Sequence, residues 1–172
     1  MTPRADRDVA AGRGEKLAEF LATGFYIGLL PRKLTGFKKF TGAGFLGTAL
    51  AVLLSPFLPS GNLSYALFLA LFCFAAVRVS GAASKAYGTH DDPRIVIDEV
   101  AGYWIAVAFM ERTIFSLTTA FILFRILDTL KPWPIKRIEK GLPSGLGIVF
   151  DDALAGVEAN LLTRFLILAW PW

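Results

Sequence analysis

Apolar runs alternate with short polar interruptions along the whole chain. Residues 1–19 are polar and of mixed charge, predicting a partly mobile segment that ends in a surface helix, and Phe20 to Leu30 is apolar but broken by glycines. The runs 43–58 and 63–77 flank Pro59-Ser60-Gly61-Asn62, a strong turn signal that predicts a helical hairpin. Each run is shorter than the about 20 residues that a bilayer-crossing helix needs. Residues 78–99 are polar. Residues 100–124 are apolar again, with Glu111-Arg112 in their middle. The two halves, roughly 16 Å each at helical rise, fit a short hairpin, one long amphipathic helix or a helix buried among others. Residues 125–152 are polar and rich in proline and glycine. A last apolar run, 153–170, carries Glu158 and Arg164 and ends beside Trp170 and Trp172, the residue type that favours a lipid–water boundary. No strand-like alternation and no internal repeat stand out. The pattern predicts an all-α multihelical bundle.

Composition changes that picture in one respect. The chain has 172 residues, one domain's length, of which 55% are hydrophobic and 19% charged, with a mean hydropathy of +0.54. Soluble domains carry about 45–50% apolar and about 25% charged residues, so a core of this size cannot bury all the apolar surface. The expected protein is membrane-integrated, with short spans and a polar face. The net charge of +4 comes from basic residues set between apolar runs, not from the continuous basic stripe of a nucleic-acid binder. Arg78, Lys85 and Arg94 in one loop and Arg125, Lys131, Lys136, Arg137 and Lys140 in another place both loops on the cytoplasmic side. Arg32, Lys33, Lys38 and Lys39, interleaved with Phe37 and Phe40, suit either anionic lipid head groups or a plain solvated loop. Cys73 is the only cysteine and His90 the only histidine. That excludes an intrachain disulfide and leaves too few soft ligands for zinc.

The chemistry sits where apolar runs begin and end. Asp98-Glu99 opens one, Asp128 closes another, and Asp151-Asp152 precedes the last. Carboxylates are costly near lipid, and several meeting at one boundary suggest a hard cation and a phosphate. A helix starting near Asp98 would put Gly102 on the same face, leaving room for a substrate group or another helix. Asp98-Glu99 could also be ordinary acidic residues at a helix start. Arg125 and Asp128 are neighbours at helical spacing, and Pro132 predicts that their helix ends at Lys131. Arg125, Asp128 and Lys131 then face the polar loop, suited to holding a phosphate and an ion. Gly145 and Gly147 predict a loop able to approach a ligand closely. Asp151 could be the cap of the next helix, but a second aspartate exceeds what capping needs. Gly156 follows Asp152 at the same spacing as Gly102 follows Asp98.

The string Phe124-Arg125-Ile126-Leu127-Asp128 through Lys131-Pro132-Trp133-Pro134-Ile135, then Gly145-Leu146-Gly147-Ile148 with Asp151-Asp152 and Ala155-Gly156, resembles the phosphatidylglycerophosphatase A family. So does Asp91 followed by Ile95-Val96-Ile97-Asp98-Glu99 and Gly102. The resemblance runs from about residue 84 to 157. Upstream, Gly28-Leu29-Leu30-Pro31 fits the family pattern, an apparent insertion from Arg32 to Gly42 follows, and Ala43-Gly44-Phe45-Leu46-Gly47-Thr48 then carries Ala43 and Phe45 in place of the family's proline and threonine. The resemblance implies a magnesium-dependent hydrolase of the bacterial inner membrane, active site towards the cytoplasm, that removes the terminal phosphate of phosphatidylglycerophosphate. Expected catalytic residues are Asp91, Asp98, Glu99, Asp128, Asp151 and Asp152, with Mg²⁺ held among Asp98, Glu99, Asp128, Asp151 and Asp152. Arg125 and Lys131 are expected to bind the substrate phosphate. The expected partners are the lipid substrate and membrane lipids, with no nucleic acid and no obligate protein. Two readings of other classes stay open, a divalent-cation-handling membrane protein and a non-catalytic scaffold for anionic lipids.

Overall fold

The structure, a computed structural model, describes residues 12–31, 42–131 and 142–169. The polar N-terminal tip, the basic insertion 32–41, the corner 132–134 and the terminal tryptophans lie outside the described residues. Among the described residues there are six α-helices and no strand.

Helix α1 (Arg13–Ala22) opens with the Gly12 N–H donating to the Glu15 carboxylate at 3.2 Å. It runs into a left-handed turn at Gly24, Phe25 and Tyr26, with φ of 56°, 59° and 68°. Buried Thr23 holds that turn, accepting from the Tyr26 N–H at 3.1 Å. Helix α2 (Ala43–Leu54) and a short 3₁₀ turn (Ser55–Phe57) lead through the Pro59-to-Asn62 turn into α3 (Asn62–Tyr87). The predicted hairpin is present, but its second arm continues past residue 77. Arg78, Ser80, Ser84 and Lys85 belong to α3, with the two serines buried and the two cations exposed. At 26 residues and about 1.5 Å per residue, α3 is roughly a bilayer's thickness long. Gly88, at φ 67°, ends it in the left-handed conformation that glycine adopts most easily.

Helices α4 (Ile97–Ala106) and α5 (Ile114–Leu130) form a short hairpin around Glu111-Arg112. Thr113 caps α5, accepting from the Ser116 N–H at 3.1 Å, and α5 ends at Lys131 as Pro132 predicts. Helix α6 (Ser144–Ala169) starts earlier than expected. Gly145 and Gly147 are helical, not a loop, and Asp151-Asp152 lies about two turns inside the helix, so neither aspartate is its cap. Gly145 permits close packing. A Cβ on Gly145 would collide with the Val77 carbonyl and the Gly81 backbone of α3.

Helix α4 is the axis of the bundle. Asp98, Val100, Ala101, Gly102, Tyr103, Trp104 and Ala106 are all buried, against α2, α3, α5 and α6. Its ring groups are tied down by backbone partners. Trp104 Nε1 donates to Ala51 O at 3.0 Å, and the Tyr103 hydroxyl donates to Leu117 O at 2.9 Å. The space next to Gly102 goes to another helix, not to substrate: a Cβ there would meet the Phe124 ring and the Asp152 carbonyl, and one on Gly156 would strike the Gly102 carbonyl.

The outer faces are apolar. Leu53, Phe57, Leu63, Leu71, Phe74, Ile114, Leu161, Phe165 and Leu168 are each at least 60% exposed. Among the described residues α3 is the one helix long and apolar enough to cross a membrane, and only 17% of its most apolar stretch is buried. The core helix of a soluble protein would be mostly covered.

Candidate active site

The predicted residues arrive from three helices at one end of the bundle. Helix α4 begins there, so Asp98 and Glu99 stand in its first turn. Helix α5 ends there with Arg125, Asp128 and Lys131 in its last two turns. Helix α6 runs past both and supplies Asp151 and Asp152, and the loop after α3 supplies Asp91.

Carboxylate oxygens of Asp98, Glu99 and Asp152 all lie within 4.8 Å of one another. Asp98 and Asp152 are buried and Glu99 partly so. Asp98 Oδ1, Glu99 Oε2 and Asp152 Oδ2 are shielded from solvent and have no hydrogen-bond partner among the described residues. Burial first, and then the charges of Glu99, Asp91 and Asp151, push the Asp98 carboxyl well above the usual carboxylate range. Burial likewise raises Glu99, reinforced by Asp152 and Asp128, and raises Asp152, reinforced by Asp128, Asp98 and Asp151. Like charges share a dry site here with no donors among the described residues to satisfy these oxygens. That donor set fits a hard divalent cation, which takes oxygen ligands and only a few carboxylates.

The remaining predicted residues surround this triad. Arg125 Nη1 donates to Asp128 Oδ2 at 2.8 Å, and Lys131 Nζ is ion-paired with Asp151 Oδ2. Asp128 is also a neighbour of Asp152 and Glu99, and Asp151 of Asp98. Asp128 and Asp151 therefore each have an ion-pair partner, while the triad makes no ion pair among the described residues and only Glu99 feels the charge of Arg125. Asp91 is exposed at the rim, close enough for its charge to act on Asp98. His90 is exposed too, and its backbone carbonyl accepts from Ser84 Oγ at 2.9 Å.

Sequence reasoning did not place three residues that shape this end at the site. Thr48 Oγ1 accepts from Arg125 Nη1 at 3.3 Å. Gly44, one turn earlier on α2, lies where any Cβ would run into the Glu99 carboxylate and approach Arg125 Nη1. The glycine–threonine spacing on one helical face was the available signal. Asp92 is structural: Arg94 clamps it through Nε at 2.6 Å and Nη2 at 2.8 Å, and Thr89 Oγ1 adds a bond of 3.1 Å. Burial opposes its ionisation, yet the Arg94 and Thr89 bonds prevail and hold its carboxyl below its ordinary value. Arg94 also covers the Tyr87 ring, 3.5 Å from its centre, and the Tyr87 hydroxyl donates to Glu19 of α1 at 3.0 Å. The loop carrying Asp91 is thereby fastened to α1 and α3.

Comparison with known proteins agrees with the geometry. The sequence model of the family described as Phosphatidylglycerophosphatase A matches residues 20–167. Phosphatidylglycerophosphatase A of Escherichia coli (strain K12) is 35% identical over 108 residues, 62% of this chain and 63% of that one, so the match spans less than two thirds of that relative. Phosphatidylglycerophosphatase A of Haemophilus influenzae is 34% identical over 87% of this chain and 88% of its own. A Bacteroides thetaiotaomicron protein, provisionally named a phosphatidylinositol-3-phosphatase, is 32% identical over 85% of this chain and 91% of its own. No solved structure matches significantly. With the family match covering most of the chain and the acidic motifs meeting at one site, the protein belongs to the phosphatidylglycerophosphatase A family and is a phosphoric monoester hydrolase.

Proposed function

We propose that this chain hydrolyses phosphatidylglycerophosphate to phosphatidylglycerol and phosphate, with Mg²⁺ as cofactor, at the cytoplasmic face of a bacterial inner membrane. The observation that carries the reading is the buried triad of Asp98, Glu99 and Asp152, with its close, unsatisfied carboxylate oxygens. These three would hold the ion, with Asp128 and Asp151 beside them. When bound, Mg²⁺ supplies charge neutralisation and orientation to a phosphate ester. Arg125 binds the substrate phosphate by its planar fork, and Lys131 by a compact charge. Lys131 must exchange its Asp151 partner for a phosphate oxygen, whereas Arg125 keeps Asp128 on Nη1 and offers its remaining edge, so both stay oriented before substrate arrives. Asp91, at the rim, takes the proton from the attacking water. The exposed apolar faces of α2, α3, α5 and the second half of α6 sit among acyl chains, and only the head group reaches the acidic end. The gathering of carboxylates at one end favours this reading over a cation path, which needs acidic groups along its length, and over a scaffold, which needs none of them.

Phosphate release from purified protein in mixed micelles tests the proposal. Phosphatidylglycerophosphate should be cleaved faster than phosphatidate, phosphatidylinositol 3-phosphate or a soluble phosphomonoester, and chelation should abolish the rate until magnesium is restored. Preference for the 3-phosphoinositide would transfer the assignment to the activity in the Bacteroides relative's name. A rate indifferent to chelation would end the metal-site reading.

A further inference from the structure

We infer that Thr48 is a positioning residue for the substrate phosphate, acting through Arg125; the inference rests on the lipid phosphatase reading above. Thr48 is fully buried inside α2. Its hydroxyl donates to the Gly44 carbonyl at 2.9 Å. A hydroxyl has one proton, so towards Arg125 Nη1, at 3.3 Å, it can only accept. Nη1 carries two N–H groups, and the pair is used up by Thr48 and by Asp128 at 2.8 Å. Arg125 Nε and Nη2 make no hydrogen bond among the described residues. Those two nitrogens form one edge of the guanidinium, the edge that grips two oxygens of an anion at once. The guanidinium is thus pinned from two helices along one edge and presents the other. Branching at Cβ restricts the Thr48 side chain to few rotamers, which fixes the direction of the pin. Gly44 makes the arrangement possible, because any side chain there would displace the Glu99 carboxylate and crowd Arg125 Nη1. One turn of α2 therefore sets the distance between the phosphate-binding cation and the acidic triad, and a purely apolar packing role would not need the hydroxyl.

The test compares Thr48→Val, which keeps the shape and loses the acceptor, with Thr48→Ser, which keeps the acceptor. Losing a hydrogen bond to a charged group is worth roughly tenfold or more. Thr48→Val should lower kcat/KM by about that factor and raise the inhibition constant for inorganic phosphate severalfold, with an unchanged thermal midpoint. Thr48→Ser should stay within about twofold of wild type in both readouts. In an Arg125→Ala background, assayed at high enzyme concentration, Thr48→Val should add almost nothing, as expected of residues acting through one contact. A Thr48→Val enzyme with wild-type kinetics overturns the inference. So does an equal loss in both backgrounds, or a kinetic loss matched by a fall in thermal stability. If wild-type protein cleaves no lipid phosphomonoester, the functional reading fails on its own. Calorimetric titration of inorganic phosphate into wild type and Thr48→Val then decides the role of Thr48, with equal affinities overturning it.

Discussion

Where α4 ends, Asn160 Nδ2 donates to the carbonyls of Ile105, Ala106 and Ala108 at 3.2, 3.0 and 3.0 Å, and Arg164 Nη2 donates to those of Ala108 and Phe109, both at 2.9 Å. Arg112 does the same for α2 and its 3₁₀ turn, donating to the carbonyls of Ser55, Leu58 and Pro59. Where α4 begins, by contrast, Asp98 and Glu99 face Asp152 across the bundle with buried oxygens that no donor among the described residues reaches. Both ends bury polar groups in an otherwise apolar bundle. One end satisfies its helix-end carbonyls with an amide and two arginines. The other concentrates like charge, an arrangement that costs stability unless a cation or ligand arrives. Stability and chemistry are thus housed at opposite ends of one ten-residue helix.

The contrast is tested most severely by Asp152→Asn. Removing one charge at constant shape should lower turnover by about a thousandfold or more, as for loss of a group acting directly on the reacting phosphate. The same change should leave the metal-free thermal midpoint equal or higher, because it relieves repulsion. Phosphate release and a melting curve on the same preparation read both, and near-wild-type turnover would remove Asp152 from the site. Arg125→Lys should cost on the order of tenfold to a hundredfold in kcat/KM because the planar fork is lost; an unchanged value would rule out two-point phosphate binding. Gly102→Ala should destabilise the fold by about 1–3 kcal/mol through overpacking against Phe124 and the Asp152 backbone, and should also slow the residual folded enzyme, since the wedge lies between α4 and α6. Arg164→Met at the other end should cost a similar 1–3 kcal/mol, from carbonyls left without a donor, yet keep kcat per folded molecule. A drop in kcat there would mean that the two ends are not separate.

The smallest effect expected is in pH dependence without divalent cations. Asp98, Glu99 and Asp152 are raised in the fold, so the folded state holds these protons more tightly than the unfolded chain. Their contribution is complete below the ordinary carboxylate range, near about pH 4, and is lost as pH climbs through the raised values. The midpoint of chelator-treated protein should therefore decline as pH climbs above the ordinary carboxylate range, and magnesium should recover it. Asp92 works oppositely: its lowered value contributes stability above the ordinary range that is lost as pH falls through it. A flat profile above that range would show that burial and neighbouring charge do not raise the three carboxyls.

Much of the acidic end was legible in the chain because aspartates at the edges of apolar runs are conspicuous. Asp98 near a helix start and Lys131 at a helix end stand where Pro132 and the apolar pattern placed them. The lengths of α3 and α6 were not legible. Arg78 and Lys85 read as a polar loop, yet on a helix they only need to point outwards while Ser80 and Ser84 turn in. Gly145 and Gly147 read as a loop because glycine lacks a side chain, and at Gly145 α6 uses that same lack to touch α3. Composition cannot separate these two uses of glycine. The roles of Asn160 and Arg164 were hidden for another reason, since their partners are backbone carbonyls far away along the chain.

Gly102 and Gly156 each stand one helical turn beyond a site aspartate, and their backbones meet. The gap between Asp98 and Asp152 is consequently gauged by main chain resting on main chain, with no compressible side chain in between. The exposed leucines and phenylalanines of the outer helices can rearrange without resetting that gauge. A hydrolase built this way holds one carboxylate spacing whatever surrounds its outer faces.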